Sequence, residues 1–493
     1  MAARTYDVIV AGGGPAGSTL AWDLARRGVS VLLLERTRFP REKVCGDYVE
    51  PRGLRILQEM GRLERLEDAK PLPITHSATY VDSTCCYAGE IPFYGLSEGL
   101  PSHGYIIPRD ELDTAMLEAA ESAGATVQQQ TAIIAVSTAS SGVEVEARRG
   151  SKRVRHRSRL IAGADGANSI VGSSEGMLTD DPRHTAVAQR AYAVGVGEDV
   201  GEAVFFFDKE LFPGYGWMFP MAEGRVNLGI GILSETRRRL DVHVPTLFDE
   251  FVERLRRSHP RCTSLELCAP PIGGIVRTYG GAGANYFDRG VLVGDAGSFV
   301  DPMTGEGITP AAESALLAAP VLQGALEAGR FDALQLSAYE SSFRAYFDPA
   351  MIFLDFCAAV LRNRHLARPW LKALARGCEL AQGDAEFARV GGSYFGGLDI
   401  RPFGILGQMW VRIVQDLVLT WPRLVGGLAV GGDSNATTVG DLIEWQAAWS
   451  RSLLADPLWH MRWTMDVQRK SMKLVSTIKS AGGDPRAVGL VPD

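Results

Sequence analysis

Cysteine is scarce in this chain and forms no pattern. Seven occur among 493 residues, Cys45, Cys85, Cys86, Cys262, Cys268, Cys357 and Cys378, an odd number with no C-x-x-C spacing. That argues against a disulfide framework and against a zinc site, so no metal is expected and a reducing compartment fits. A surplus of positive charge is also missing. Against 58 acidic residues stand 51 basic ones, giving a net charge of −7 with no dense basic block, which leaves no electrostatic footprint for nucleic acid. Long hydrophobic runs are few. The start, MAARTYDVIVAGGGPAG, has one brief apolar run that glycines and a proline break before signal-peptide length, so the expected location is the cytoplasm. The apolar stretch 403–432 contains Arg412, Asp416, Arg423 and a proline, which argues against a spanning helix. No internal repeat is visible. What remains is an ordinary globular composition, 46% apolar and 22% charged, in a chain long enough for two or three domains.

The segment YDVIVAGGGPAGSTLAWDLARRGVSVLLLER reads as strand, glycine turn, helix and second strand. It carries G-x-G-x-x-G at Gly12, Gly14 and Gly17, with Pro15 and Ala16 between the last two. Gly12 suits a tight turn, Gly14 a close approach of backbone to a pyrophosphate at the helix start, and Gly17 close packing of helix on strand. Glu35 ends the second strand, placed to accept hydrogen bonds from a ribose diol, and Arg36 adjoins it. The motif predicts a dinucleotide site without separating FAD from NAD.

Further glycine–acid turns follow. RLIAGADGANSIVG (159–172) runs a strand into Asp165, and GVLVGDAGSFVDPMTGEGITPAAESALLAA (290–319) runs one into Asp295, a turn with Pro302, then Gly305 and Gly307 before a helix opening at Ile308. Asp295 suits a ribityl hydroxyl. Backbone N–H groups at the positive helix end suit a flavin's N1 and O2 edge, where reduction gathers negative charge, and this favours FAD. Arg109 opens another helix, a position that fits a flavin contact or a surface cap equally. The aromatic stretch AVFFFDKELFPGYGWMFP fits a packed hairpin, yet glycines beside Tyr215 and Trp217 leave room for a large apolar ligand.

Together these residues resemble the FAD-dependent group that contains class A flavin monooxygenases, flavin halogenases and geranylgeranyl reductases. KVCGDYVEPRGLRILQEMG, PGYGWMFPMAEGRVNLGIG and GDAGSFVDPMTGEGI look most like the geranylgeranyl reductase family, with its menaquinone-reductase-like members, over residues 5 to about 345. The resemblance implies FAD on the N-terminal unit, an inserted substrate domain, and hydride transfer from reduced flavin to an isoprenoid C=C bond. It sets the loop of Cys45, Gly46 and Asp47 beside the flavin ring, and Tyr215, Trp217, Phe219 and Pro220 along the substrate cavity, with Phe206 expected on the same wall. Halogenases carry W-x-W-x-I-P where this chain has Tyr215 and Phe219, which disfavours halogenation.

The expected fold is therefore α/β: a Rossmann-like FAD-binding domain (1–75, 105–180 and 275–345), an inserted antiparallel-sheet substrate domain (76–104 and 181–274) and a C-terminal helical region (346–493). Seven of nine tryptophans fall in that last region, which suits a cap over the cavity, a partner-protein contact or a membrane surface. The expected chemistry is reduction of a C=C bond in a large apolar isoprenoid or natural-product substrate. NAD(P)H or another donor binds only transiently, since no second G-x-G-x-x-G follows a strand. Cys45 either supplies a proton, because an unperturbed thiol is protonated at neutral pH, or only shapes the loop. Tyr215 is a second proton source, and Trp217 is grouped with them. A monooxygenase on the same scaffold is the main alternative, and a non-catalytic flavin sensor a weaker one.

Overall fold

The computed structural model describes residues 5–91, 100–197, 201–385, 388 and 439–480. Its first sheet has a parallel centre: Thr5–Ala11 lies between Lys152–Gly163 and Val31–Leu34, with Thr126–Gln128 beyond the latter and Gly290–Leu292 beyond the former. Residues 8–11, 31–34 and 160–163 are unbroken buried runs of apolar residues and glycine because both faces are covered there. On one face the helix Pro15–Arg26 packs against Arg109–Ser122 and Ile308–Ala328. The strands Thr131–Ala139 and Gly142–Arg149 extend the sheet from Lys152–Gly163 as antiparallel neighbours, leaving the basic stretch 148–159 largely at the solvated end of this hairpin.

The second sheet runs in the order Glu266–Leu267, Thr185–Val194, Val226–Leu233, Tyr215–Pro220, Glu202–Phe207, His76–Val81, Thr84–Glu90. It is antiparallel except where Glu202–Phe207 pairs in parallel with His76–Val81. Ile272–Arg277 also pairs with Thr185–Val194, so this strand runs across the expected boundary at 274/275. The helix Val244–Ser258 covers one face, burying Phe248, Phe251, Val252 and Leu255. The other face turns toward the first domain.

The long helix Ala333–Leu361 passes through the expected boundary at 345/346, and Ala367–Gly383, Val439–Ala455 and Pro457–Ser480 follow. The apolar stretch 403–432, with Trp410 and Trp421, lies outside the described residues. Among the described residues no helix is long and apolar enough to cross a membrane.

Candidate active site

One cavity of about 1630 Å³ runs from the N-terminal glycine turn to the inner face of the second sheet. At one end the turn is shaped by close approach. Gly12 adopts φ +101°, and a Cβ on Gly17 would lie 1.9 Å from the Gly12 carbonyl oxygen. Pro15 occupies the first turn of its helix, where a missing N–H costs nothing. The Gly13 N–H donates to Glu35 Oε2 at 2.8 Å, and Thr37 donates its N–H and O–H to Oε1 at 2.8 and 2.6 Å, which fixes the carboxylate at the cavity wall.

Gly12, Gly14, Pro15, Glu35, Arg36, Cys45, Gly46, Arg109, Asp165, Asp295, Pro302, Gly305, Gly307 and Ile308 all line this cavity. Ala16 and Gly17 sit behind the turn instead, buried where Ala16 meets Gly294 and Gly17 meets Gly12. Asp165 uses its carboxylate locally, accepting from Ser169 Oγ and from the backbone of Ile170 and Val171 at the start of a short helix. Arg109 is no surface cap: it is 4% exposed and forms a bidentate pair with Asp113, both bonds 2.9 Å, while Arg41 approaches the same carboxylate at 2.9 Å.

The glycine loop before Ile308–Ala328 is held by Asp301, whose Oδ1 accepts from Met303 and Thr304 N–H at 2.7 and 2.9 Å. The Tyr215 hydroxyl donates to the Thr304 carbonyl, tying the aromatic strand to this loop. Burial, then the Asp301 carboxylate, pushes the Tyr215 phenol upward. Below the loop, Arg52 bridges Glu50 at 3.1 Å and Glu313 at 2.6 Å. Burial there lifts Glu50 to about 7 despite Arg52.

Cys45 and Gly46 lie between the two ends. A Cβ on Gly46 would come within 3.0 Å of the Phe219 ring, and one on Gly229 within 2.1 Å of Trp217, so small residues set the aromatic wall against the loop. Phe219 stacks on Trp217 at 6.3 Å and meets Phe205 edge-on at 5.3 Å. Phe206 is not on this wall. Successive strand residues face opposite sides, and Phe206 points under Val244–Ser258, 5.4 Å from Phe251, leaving Phe205 to face the cavity.

A buried network joins wall and loop. Asn227 accepts from Trp217 Nε1 at 2.9 Å and donates through Nδ2 to the Cys45 carbonyl at 2.9 Å and to Asp47 Oδ2 at 2.8 Å. Tyr192 donates to the same Oδ2 at 2.6 Å. Burial raises the Asp47 carboxyl to about 6 against these donors and the Arg190 charge. Burial likewise raises the Cys45 thiol, with Arg109 opposing it. Asn227, Tyr192 and Arg190 escaped the sequence reading. Asn227 left one signal, a lone amide in the apolar strand RVNLGIG.

The glycine turn, the carboxylate fixed at the second strand's end and the glycine loop before Ile308–Ala328 together fit a dinucleotide-binding protein. Residues 5–199 match the FAD binding domain model, and 184–269 match the geranylgeranyl reductase catalytic domain model. A menaquinone reductase of Mycobacterium tuberculosis is 34% identical over 337 residues, 64% of this chain and 76% of that protein. A digeranylgeranylglycerophospholipid reductase 2 of Methanopyrus kandleri is 30% identical over 359 residues, 69% of this chain and 83% of that one. In fold, the chain is similar to a geranylgeranyl bacteriochlorophyll reductase-like protein of Thermoplasma acidophilum, with TM-score 0.68 and 23% identity over 84% of this chain and 98% of that one. The chain belongs to the geranylgeranyl reductase family and is an FAD-dependent oxidoreductase.

Proposed function

We propose that this enzyme reduces a C=C bond of a large apolar substrate of isoprenoid or natural-product type, with Cys45 as the proton donor. The observation that carries the reading is the continuity of one cavity from the dinucleotide turn, past Cys45 and Gly46, to the wall of Phe205, Trp217 and Phe219. That wall is broad, apolar and short of polar anchors, which suits an extended hydrocarbon.

FAD, when bound there, would supply the hydride that one carbon of the double bond takes up, its reducing equivalents coming from NAD(P)H or another transient donor. Gly12, Gly14, Glu35 and Asp295 would hold its dinucleotide part, and the Gly305–Gly307 loop its ring edge. Cys45 Sγ–H gives its proton to the other carbon. The resulting thiolate faces the Arg109 guanidinium, which favours the anion until solvent returns a proton. Tyr215 is the weaker donor because its O–H is already given to Thr304. Trp217 shapes the wall rather than donating, its N–H being held by Asn227.

Reduced enzyme mixed without oxygen with menaquinone or with geranylgeranyl lipids, the compounds its relatives' names carry, should yield the saturated product. Cys45→Ala should retain FAD and lose about 100-fold in turnover, the usual scale of general acid catalysis. Full turnover in the FAD-loaded variant would remove the acid role, and oxygen-dependent hydroxylation of substrate would replace the reductase with a monooxygenase.

A further inference from the structure

The last described helix, Pro457–Ser480, docks by one side only. There Trp463 Nε1 donates to the Ala359 carbonyl at 2.9 Å, Asp466 pairs with Arg362, and Lys470 pairs with Asp355. The opposite side is apolar and, among the described residues, exposed. Leu458 is 62% exposed, Met461 53%, Met465 60%, Met472 66% and Val475 47%, while Leu454, one helix earlier, is 83% exposed. Steps of three, four, seven and three residues from Leu458 put these side chains in one stripe, interrupted by Gln468.

The neighbouring row is cationic. Arg462, Arg469 and Lys473 are exposed one position beyond Met461, four beyond Met465 and one beyond Met472, and Lys479 is exposed near the helix end. The helix has a single acid, Asp466, 4% exposed beneath Arg362; Arg469 also reaches it, at 2.6 Å, while staying 63% exposed. In a chain of net charge −7 this cationic row is a local feature.

From this pattern we propose that the outer face of Pro457–Ser480 binds an anionic lipid bilayer, its Leu and Met side chains entering the interface and its cations meeting the headgroups. Such a stripe with cations beside it is what an interfacial helix requires. A second copy fits less well, because two such faces would oppose cation to cation with no exposed acid on the helix to pair them. The binding of this exposed face is read without any turnover.

Sedimentation of the FAD-loaded protein with phosphatidylglycerol vesicles tests this. The protein should pellet with them, remain in the supernatant with phosphatidylcholine vesicles, and be released by high salt. Met465→Glu with Met472→Glu changes only exposed positions, so it should keep FAD and native circular dichroism while its partitioning falls at least about tenfold. Protein that stays in the supernatant with phosphatidylglycerol, or a double variant that pellets as the wild type does, overturns the proposal. A wild-type dimer that this variant converts to monomer would assign the stripe to a second copy and overturn it too.

Discussion

Asp47 shows how one residue couples loop position to protonation. It takes φ +61° with no exposure, and its Oδ2 accepts two hydrogen bonds while Oδ1 has no partner. The lone acceptor explains why burial prevails over Tyr192, Asn227 and the Arg190 charge, raising the carboxyl from 3.8 to about 6. Because the folded value is the higher one, the folded state favours the protonated acid. The stability this adds is complete below pH 3.8 and is lost as pH rises through 6, roughly 3 kcal/mol in all. Urea titrations of the FAD-loaded enzyme at pH 4 and pH 7 should show this fall. Asp47→Asn keeps an acceptor for Tyr192 but cannot ionise, so its stability should change less over the same interval. An identical slope in both proteins would place the titration elsewhere, with Glu50 the next group to test.

At the level of the strand, Glu202–Phe207 separates what sequence can specify from what it cannot. Phe205, Phe206 and Phe207 are consecutive, so either alternation puts an aromatic ring on each face. The choice is made by partners in other elements. Phe205 pairs with Trp217 and Phe206 with Gly216. Gly216 in turn has the Phe251 ring against it, 2.6 Å from where a Cβ would stand. Phe206→Ala should therefore cost about 3–5 kcal/mol, as a core cavity does. Phe205→Ala should spare much of that stability and raise KM for an apolar substrate. Chemical denaturation and steady-state kinetics on both variants check the division, and the reverse pattern would return Phe206 to the cavity. The G-x-G-x-x-G turn posed no such difficulty, because its strand, glycines, helix and Glu35 are contiguous in sequence and their geometry is local. Asn227 shows the intermediate case: an amide in an apolar strand signals a buried partner, but Cys45 and Asp47 lie about 180 residues away, beyond the reach of any periodicity.

Across the whole molecule, the helix Pro457–Ser480 is held to the enzyme body by buried charge. Asp466 meets Arg183 at 3.2 Å and Arg469 at 2.6 Å and pairs with Arg362, itself 4% exposed. Lys470 pairs with Asp355, which also stands 3.7 Å from His184. Burial keeps His184 near 4 and therefore neutral at pH 7, so Lys470 is the cation that answers Asp355. Burial alone would raise Asp466, but Arg362 and the other cations outweigh it and hold it at about 2. With the folded value below the usual 3.8, the stability Asp466 adds is complete above pH 3.8 and is lost as pH falls through 2. The helical character of Pro457–Ser480 was legible from composition, whereas its docking depends on Arg362, more than a hundred residues earlier, and Arg183, earlier still. Asp466→Asn takes one of two carboxylates from the buried Arg362, which keeps Glu235 at 3.5 Å, a loss of about 1–3 kcal/mol. Since those contacts hold one helix, the loss should appear there first: amide exchange at pH 7 should quicken in Pro457–Ser480 and leave the Thr5–Ala11 strand protected. Equal quickening in both segments would mean that the C-terminal helices and the FAD domain unfold as one unit, and unchanged exchange would mean that apolar packing around Trp459 and Trp463 holds the helix without the ion network.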